Sequence, residues 1–296
     1  MTLPYKQVVD LSYHLIKSTN ANCAKPIIIN LHGVLGSRRT FNILNKVIRE
    51  EINTDIYSID FRNHGDSPQC HPMNYEILNN DLNHFIKKTI NPDVIKDRGI
   101  IFIGFSMGAK VGLINTIESY NKFNVKKVVS IDMPPYVTPT FPSILATNLD
   151  LIDKLDQGEI VIKAGTKTWK EECLKLLGSY FSSGFLDLHS NNKTNKLGHI
   201  KYYLPLREFP NLVDDMKHWP VNLAPTKCTD TEVLFLRGLD SPVFSEDYSL
   251  LNKHFPNKKV VEFSTGHTLL FEEFPKASRV ILDFLQDKKE VQQLSE

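Results

Sequence analysis

The stretch that most constrains the fold of this chain is GIIFIGFSMGAKVGLINTIESY, residues 99–120. Its first half is a short apolar run, which is typical of a strand buried on both faces of a parallel sheet. Its second half is long enough for a helix, and the junction reads G-x-S-x-G with Ser106 at its centre. The stretch therefore predicts a strand, a sharp turn and a helix, with the Ser106 hydroxyl presented at the turn.

Strand-like and helix-like segments alternate over much of the remaining chain, which predicts a mostly parallel central sheet flanked by crossover helices. The alternation stops near Thr138, where helical segments joined by polar loops take over, and it resumes near residue 229. We therefore expect an α/β core formed by residues 1–137 and 229–296, with residues 138–228 inserted as a helical cap.

The charge balance narrows the classes of partner. Lysine and arginine total 35 against 34 aspartate and glutamate residues, so no net field favours nucleic acid, an anionic membrane or a polyanionic substrate. No run approaches the ~18 consecutive apolar residues that a membrane-spanning helix needs. We expect neutral or weakly charged small molecules as partners, and the sequence does not indicate an oligomeric state.

The N-terminus and the cysteines bear on localisation and metal content. The segment MTLPYKQVVDLSYHLIKSTN has neither the apolar core of a secretion signal nor an arginine, so on these grounds a cytoplasmic location is expected. The cysteines are Cys23, Cys70, Cys173 and Cys228, and they lie far apart without the spacing of metal ligands. We expect free thiols, no metal site and no bound cofactor.

A base must activate Ser106, because a serine hydroxyl is a weak nucleophile at neutral pH. His267 follows the last strand-like segment, KKVVEFSTGH, where the chain order serine, acid, histidine places the base. Gly104 and Gly108 flank the serine, as a sharp and strained turn requires. The pattern predicts Ser106 as the nucleophile and His267 as the general base.

Two backbone N–H groups are expected to hold the oxyanion of a tetrahedral intermediate. Met107 directly follows the nucleophile and supplies one of them at the helix N-terminus, where the helix dipole favours negative charge. Val34 supplies the other. It lies in LHGVLGS after the first buried strand, where Gly33 and Gly36 permit a tight turn.

The acid of the triad is ambiguous from the residues alone. Asp132 in SIDMPP ends the strand after the nucleophile helix, and Asp240 in RGLDSP ends the strand after the cap. Both ends lie at the carboxyl edge of a parallel sheet, where a carboxylate can orient the imidazole and stabilise its cation. The commoner hydrolase arrangement favours Asp240.

Several ordered motifs extend this interpretation to nearly the whole chain. They are LHGVLGS, DFRNHGDSP followed by MNYE, GFSMGAK, SIDMPP, LRGLDSP and GHTLLFEEFP. Together they resemble a branch of the α/β-hydrolases that holds the α/β-hydrolase domain-containing protein 11 type, bacterial YbfF-like esterases and yeast ethanol acetyltransferases. RNHGDSP is the most specific of these motifs.

The resemblance implies an α/β-hydrolase fold and a choice of acid. In that family the acid lies in a D-x-x-P context, which Asp132 matches, so we predict the triad Ser106, Asp132 and His267. The position of Asp240 is often asparagine in relatives, and the aspartate here leaves a shared role open. Phe105 departs from the family, which commonly has histidine or tyrosine at that position.

The resemblance also implies a reaction, namely acyl transfer through an acyl-serine. Yeast members pass acetyl from acetyl-CoA to ethanol, with ester and thioester hydrolysis as side reactions. The GAK that follows the nucleophile is nearer to these members than to the animal type. A mitochondrial location is implied as well, which conflicts with the N-terminus described above.

Two alternatives remain open at the level of the sequence. A carboxylesterase or thioesterase uses the same chemistry, and a non-catalytic binding protein can share the fold. Whether water or alcohol removes the acyl group depends on how far the cap excludes water from the pocket.

Aromatic residues of the insert can form an apolar lid or simply pack there: Trp169, Phe181, Phe185 and Trp219. Arg38 and Arg39 can meet the phosphates of CoA or face solvent.

Overall fold

A computed structural model describes residues 4–119, 122–163, 166–177, 193–194, 198, 200–201, 204–224 and 226–288. The strands are β1 (Tyr13–Ile16), β2 (Ile27–Leu31), β3 (Ile56–Ile59), β4 (Ile100–Phe105), β5 (Val125–Ile131), β6 (Lys193–Thr194), β7 (Ile200–Lys201), β8 (Glu232–Gly238) and β9 (Lys258–Phe263). The helices are α1 (Asn42–Glu51), α2 (Tyr75–Thr89), α3 (Pro92–Arg98), α4 (Met107–Glu118), α5 (Phe141–Gln157), α6 (Trp169–Leu177), α7 (Phe209–Asp215), α8 (Ser249–His254), α9 (Leu269–Glu272) and α10 (Phe274–Leu285). Short 3₁₀ helices span Arg38–Phe41, Leu206–Glu208 and Val221–Leu223.

Seven strands form the central sheet, in the order β1-β3-β2-β4-β5-β8-β9. β1 pairs antiparallel with β3, and the other neighbouring strands in this sheet pair in parallel. β4 lies at the centre and is buried along its whole length, as the apolar run GIIFIGFS predicts. The expected fold class, a mostly parallel sheet, is therefore confirmed.

Helices cover the centre of the sheet on both faces, since every residue of β2 and of β4 is buried. α4 packs on β2, β4 and β5 and also contacts α2, whereas α1 packs against α10. Asn74 begins α2 by accepting a hydrogen bond from the Ile77 N–H at 2.9 Å, as an N-cap side chain does. Within the described ranges, no helix is long and apolar enough to cross a membrane.

The segment between β5 and β8 contains α5, α6 and α7, in agreement with its helical sequence pattern. It also contains the two-stranded ribbon β6–β7, which the sequence analysis did not predict. Trp219 is buried and stacks on His254 of α8, so this aromatic residue packs the insert onto the core. Trp169 is half-buried at the start of α6. Phe181 and Phe185 lie outside the described residues, and the boundaries 138 and 228 stay a prediction.

α4 lies so close to the end of β2 and to its own preceding turn that neither glycine flanking Ser106 has room for a side chain. A Cβ on Gly108 would lie 2.2 Å from the Leu31 carbonyl oxygen of β2, and one on Gly104 would lie 2.4 Å from the Ala109 Cα. Real Cβ atoms essentially never come so close to backbone. The two glycines that flank Ser106 are therefore required by backbone contact on both sides of the turn.

Gly108→Ala tests this contact against a matched control on the same helix. We expect Gly108→Ala to destabilise the protein by ~1–3 kcal/mol or more, because backbone must shift to admit the methyl group. A Cβ on Gly112 would meet side-chain atoms alone, of Leu31 at 3.2 Å and of Phe102 at 3.4 Å. Since alanine favours helix by ~1 kcal/mol, Gly112→Ala is expected to cause little net change. Urea unfolding of both variants measures the difference. Equal stability of the two variants would contradict the account.

Candidate active site

Ser106 occupies the turn between β4 and α4 in a strained backbone conformation, with φ 50° and ψ −119°. Such a conformation costs a non-glycine residue free energy, so the surrounding structure must hold it. The Ser106 N–H donates to the Ile131 carbonyl at the end of β5, at 3.0 Å. Ser106 is only 4 % exposed. The strand, the helix and the neighbouring strand thus fix the serine at the N-terminus of α4.

His267 lies in the loop between β9 and α9 and bridges the serine to a carboxylate. Its Nε2 lies 3.0 Å from Ser106 Oγ, and its Nδ1 lies 2.7 Å from Asp132 Oδ2. A carboxylate only accepts hydrogen bonds, so Nδ1 carries the proton and Nε2 accepts from the serine hydroxyl. This is the arrangement in which histidine can take the serine proton as a general base.

Asp132 directly follows β5 and is fully buried. Its Oδ1 accepts a hydrogen bond from the Gly238 N–H at 2.9 Å, and its Oδ2 accepts one from the Ser241 hydroxyl at 2.5 Å. Its backbone lies in the left-handed region at φ 48°. With His267, three donors surround the carboxylate, which satisfies a buried charge that would otherwise be costly.

Asp240, the alternative acid, lies in the turn after β8. It is exposed, and its backbone N–H donates to the Thr265 carbonyl at 3.0 Å. It therefore fixes the loop that carries His267 through its backbone, while Asp132 provides the carboxylate that meets the imidazole. The structure brings together the three residues predicted as the triad.

Gly238 and Ser241 are functional positions that the sequence analysis missed. Both lie in the quoted stretch LRGLDSP, in which only the Asp240 carboxylate is a candidate acid. A Cβ on Gly238 would lie 2.3 Å from the Gly266 carbonyl oxygen, so only glycine lets the His267 loop approach the end of β8. The glycine at a strand end was the available signal, since it marks close backbone approach.

The loop after β2 lies against the nucleophile, as predicted for the oxyanion site. A Cβ on Gly33 would lie 3.2 Å from the Ser106 Cβ, and Val34 is the next residue. His32 is buried; its Nε2 accepts from the Phe61 N–H at 3.0 Å, so Nδ1 donates to the Gly33 carbonyl at 2.8 Å. Because C=O and N–H point in opposite directions across a trans peptide, this bond directs the Val34 N–H away from His32.

Met107, the other predicted oxyanion donor, is the first residue of α4. The first N–H groups of a helix have no intrahelical carbonyl partner, and they favour negative charge nearby. Met107 and Val34 thus lie on the two backbone segments that adjoin Ser106. Their role as oxyanion donors stays a prediction.

Asp60 joins the oxyanion loop to the RNHGDSP loop. Its carboxylate accepts from the Arg38 N–H at 2.6 Å and from the Asp66 N–H at 3.0 Å. The Arg38 guanidinium pairs with both Asp60 and Asp66, so this arginine is engaged with carboxylates. Arg39 is exposed. A Cβ on Gly65 would lie 2.2 Å from the Asp60 Cγ, which explains the glycine of the motif.

Arg62 of the same motif forms a fully buried ion pair. Its Nε and Nη2 donate to the Asp81 carboxylate at 2.6 Å and 2.8 Å, and its Nη1 donates to the carbonyls of Lys6 and Pro72. Loss of one partner would leave a buried charge uncompensated, at a cost of ~3–5 kcal/mol. The specific motif is therefore mainly a scaffold that anchors the loops around the site.

His64 contributes a neutral ring to the floor of the site. Burial and the neighbouring His32 lower the pKa of His64 to about 3, and its Nδ1 donates to the Arg62 carbonyl at 2.9 Å. Its ring centroid lies 4.9 Å from that of His32 and 5.4 Å from that of Phe209 in α7. His64 thus separates the oxyanion loop from the inserted segment.

Aromatic rings pack against the catalytic imidazole. The Phe105 ring lies 5.0 Å from the His267 ring, and the Phe141 ring at the start of α5 lies 5.7 Å from it, measured between centroids. Phe105 departs from the family pattern noted above, and here it supplies an apolar surface that holds the imidazole. Phe141 brings the inserted segment directly to the triad.

Asp132→Asn and Asp240→Asn are a matched pair that tests the choice of acid. We expect Asp132→Asn to lower kcat by a factor on the order of 10⁴, since the amide no longer stabilises the required tautomer and cation of His267. Asp240→Asn should leave kcat essentially unchanged, because its carboxylate is exposed. Steady-state cleavage of a simple acetate ester measures both. A collapse with Asp240→Asn alone would overturn the choice.

Comparison with known proteins agrees with this geometry. Residues 26–274 match the family described by the α/β hydrolase fold. A probable alcohol acetyltransferase of Wickerhamomyces anomalus is 26 % identical over 311 residues, covering 97 % of this chain and 88 % of that protein. Ethanol acetyltransferase 1 of Cyberlindnera fabianii is 28 % identical over 306 residues, covering 96 % of this chain and 88 % of that protein.

Solved structures share the architecture. A marine microorganism esterase superposes with a TM-score of 0.72 at 23 % identity, covering 93 % of this chain and 99 % of that chain. E-2-(acetamidomethylene)succinate hydrolase superposes with a TM-score of 0.70 at 17 % identity, covering 94 % and 96 %. At these identities the likeness concerns the fold. The family match covers most of the sequence, including all three triad residues, and the chain therefore belongs to the α/β-hydrolase-fold family.

Proposed function

We propose that this enzyme is a serine-dependent alcohol O-acetyltransferase that makes acetate esters from acetyl-CoA, with ethanol as the expected acceptor. The observation that carries the proposal is the hydrogen-bonded series from Ser106 through His267 to Asp132, at 3.0 Å and 2.7 Å. Relatives named alcohol or ethanol acetyltransferase align with nearly the whole chain, which supports acetyl as the transferred group and an alcohol as the acceptor.

The first half-reaction acylates the serine. The Ser106 hydroxyl gives its proton to His267 Nε2 as Oγ attacks the thioester carbonyl of acetyl-CoA. The oxyanion develops beside the backbone N–H groups of Met107 and Val34, and the Asp132 carboxylate stabilises the imidazolium. The tetrahedral intermediate collapses by breaking the C–S bond, and His267 returns the proton to the departing CoA thiolate.

The second half-reaction transfers the acetyl group. An alcohol takes the place of CoA and gives its proton to His267 Nε2 while its oxygen attacks the acetyl carbonyl. The oxyanion forms at the same backbone donors. Collapse breaks the bond to Ser106 Oγ, which recovers the proton from His267, and the acetate ester leaves. The triad residues are the same in both halves, so the nature of the acceptor is decided outside them.

Hydrolysis of carboxylic esters and thioesters is the second candidate. Ser106 and His267 keep a small exposure, 4 % and 9 %, so these two residues are not completely closed off from solvent. Water in place of the alcohol completes the same second half-reaction and yields acetate. A complete triad at hydrogen-bonding distance weighs against a non-catalytic binding role.

Acetyl-CoA enters this proposal as a substrate, and the steps above use no metal and no resident cofactor. The small molecules bound are thus an ester or thioester and an alcohol. A mitochondrial location completes the proposal and rests on the family resemblance alone. A C-terminal fluorescent fusion in yeast cells tests it: a signal that follows the mitochondrial network supports the location, and a diffuse cytoplasmic signal contradicts it.

Product analysis tests the reaction directly. Purified protein incubated with acetyl-CoA and ethanol is expected to yield ethyl acetate together with some acetate, as measured by gas chromatography. Ser106→Ala should abolish both products, whereas Ser245→Ala, which changes an exposed serine outside the site, should leave them unchanged. Acetate without ethyl acetate would reject the transferase in favour of the hydrolase.

A further inference from the structure

Lys110 is a fully buried lysine one turn after the nucleophile on α4. Its backbone N–H donates to the Ser106 carbonyl at 3.2 Å, so the two residues belong to the same first turn. Lysine is almost never fully buried unless it is paired, and the triad chemistry does not use it. GFSMGAK thus contains a second chemically distinctive side chain whose role the mechanism leaves open.

The Lys110 side chain reaches from the core helix to the inserted segment. Its Nζ donates to the Met216 carbonyl at 2.6 Å and lies 5.0 Å from the centroid of the Tyr75 ring. Met216 directly follows α7, and the last carbonyls of a helix have no intrahelical donor. Lys110 therefore holds the C-terminal end of α7 against the nucleophile helix.

A second core residue forms a hydrogen bond with the same end of α7. The Tyr75 N–H, at the start of α2, donates to the Asp215 carboxylate at 2.8 Å. Asp215 is the last residue of α7. The N-terminal turns of two core helices therefore meet the C-terminal end of one inserted helix, and the donors come from the core in both cases.

The opposite end of α7 lies at the floor of the active site. Phe209 is fully buried and its ring contacts the His64 ring, which in turn contacts His32. His32 donates to the Gly33 carbonyl in the oxyanion loop. α7 thus runs from the oxyanion side of the site to Lys110, so a displacement at one end moves the other.

We propose that Lys110 is a positioning residue that docks α7 on the nucleophile helix and thereby limits the access of water to the acyl-serine. Transfer to an alcohol in aqueous solution requires that the site exclude water for as long as the acyl-enzyme intermediate persists. Release of the Met216 end would let Phe209 leave His64 and admit solvent. The acceptor part of this inference rests on the proposed function, whereas the docking part does not.

The protonation of Lys110 gives the docking a pH dependence. Burial lowers the pKa of Lys110 to about 7, and the Asp215 carboxylate opposes that effect. Among the described residues Tyr75 also faces it; burial raises the pKa of Tyr75 well above its usual value, so the phenol stays neutral. A neutral amine still donates to the Met216 carbonyl.

The sign of the pH effect follows from linkage. In an undocked state Lys110 meets water, and its pKa returns toward 10.5. The docked state therefore binds fewer protons between about pH 7 and pH 10.5, so docking strengthens as pH rises through that range, by at most about tenfold per unit. Below about pH 7 the lysine is protonated in both states, and the dependence disappears.

Lys127 offers a matched control. It is likewise a buried lysine, its Nζ donates to the Phe284 carbonyl at 2.7 Å, and it lies 4.9 Å from the Phe284 ring. It also pairs with Asp287. These contacts join β5 to α10, away from α7. Lys127→Met removes a buried lysine of the same kind without touching the inserted segment.

The first measurement is the ratio of ethyl acetate to acetate formed from acetyl-CoA and ethanol. We expect Lys110→Met to lower this ratio several-fold, with acetyl-CoA still consumed, because water now competes for the acyl-serine. Lys127→Met should keep the wild-type ratio. An unchanged ratio in Lys110→Met would overturn the inference.

The second measurement, hydrogen exchange of the α7 amides at several pH values, does not depend on activity. After correction for intrinsic rates, protection in the wild type and in Lys127→Met should rise between pH 7 and pH 8.5. In Lys110→Met it should be low and independent of pH. Should that variant fail to fold, Lys110→Gln keeps a neutral donor, and its protection should be high and independent of pH. Wild-type protection that does not rise with pH contradicts the docking role.

The two proposals fail in different ways. If the wild type yields acetate alone, the acceptor assigned above is wrong, while the exchange experiment still tests the docking of α7. If ethyl acetate forms but Lys110→Met exchanges its α7 amides like the wild type, the proposed transferase activity is supported and the proposed role of Lys110 is contradicted.

Discussion

The site depends on one constraint, the crossing of α4 over β2 without an intervening side chain. A Cβ on Gly108 would lie 2.2 Å from the Leu31 carbonyl oxygen, so the helix approaches as closely as backbone allows. This approach brings Ser106 beside the loop that continues from β2, where Gly33 lies next to the serine Cβ. The contact between Gly108 and the Leu31 carbonyl therefore positions the strained serine, the N-terminus of α4 and the oxyanion loop next to one another.

The remaining parts converge because parallel strands end at one edge of the sheet. Ser106 follows β4, Asp132 follows β5 and His267 follows β9, while the end of β8 supplies the Gly238 N–H to the acid. Ser106 and Asp132 directly follow their strands, whereas His267 lies in the loop that follows Phe263, the last residue of β9. The buried Arg62 pair and the Asp60 carboxylate then fix the loops around them, which is why the most specific motif is a scaffold and carries no reacting atom.

The sequence predicted the elements whose signal is local. The apolar run before Ser106 and the order of the motifs were sufficient to predict the fold, and they also singled out Ser106 and His267, which the structure places within 3.0 Å of each other. The acid was not determined by the residues alone, because Asp132 and Asp240 both follow strands; only the fold shows that one is buried at the imidazole and the other exposed in a turn. Lys110 entered the sequence analysis only as part of GAK, and its contact with the inserted segment had no local signal, since its partner is a backbone carbonyl more than 100 residues away. The ribbon β6–β7 has strands of two residues, too short for any periodicity.

Chemistry and selectivity occupy different parts of the molecule. The core holds the predicted triad, whose proposed acylation step is the same for every acceptor. The inserted segment contacts the triad residue His267 through Phe141 and the neighbouring His64 through Phe209. The central claim is that the acyl group rests on Ser106. Mass spectrometry of the protein mixed with acetyl-CoA alone, quenched in acid and digested, tests this claim most directly. The account predicts one acetyl group on the peptide that contains Ser106, absent in Asp132→Asn at early times. An acetyl group on another residue, or none while acetyl-CoA is consumed, would contradict it.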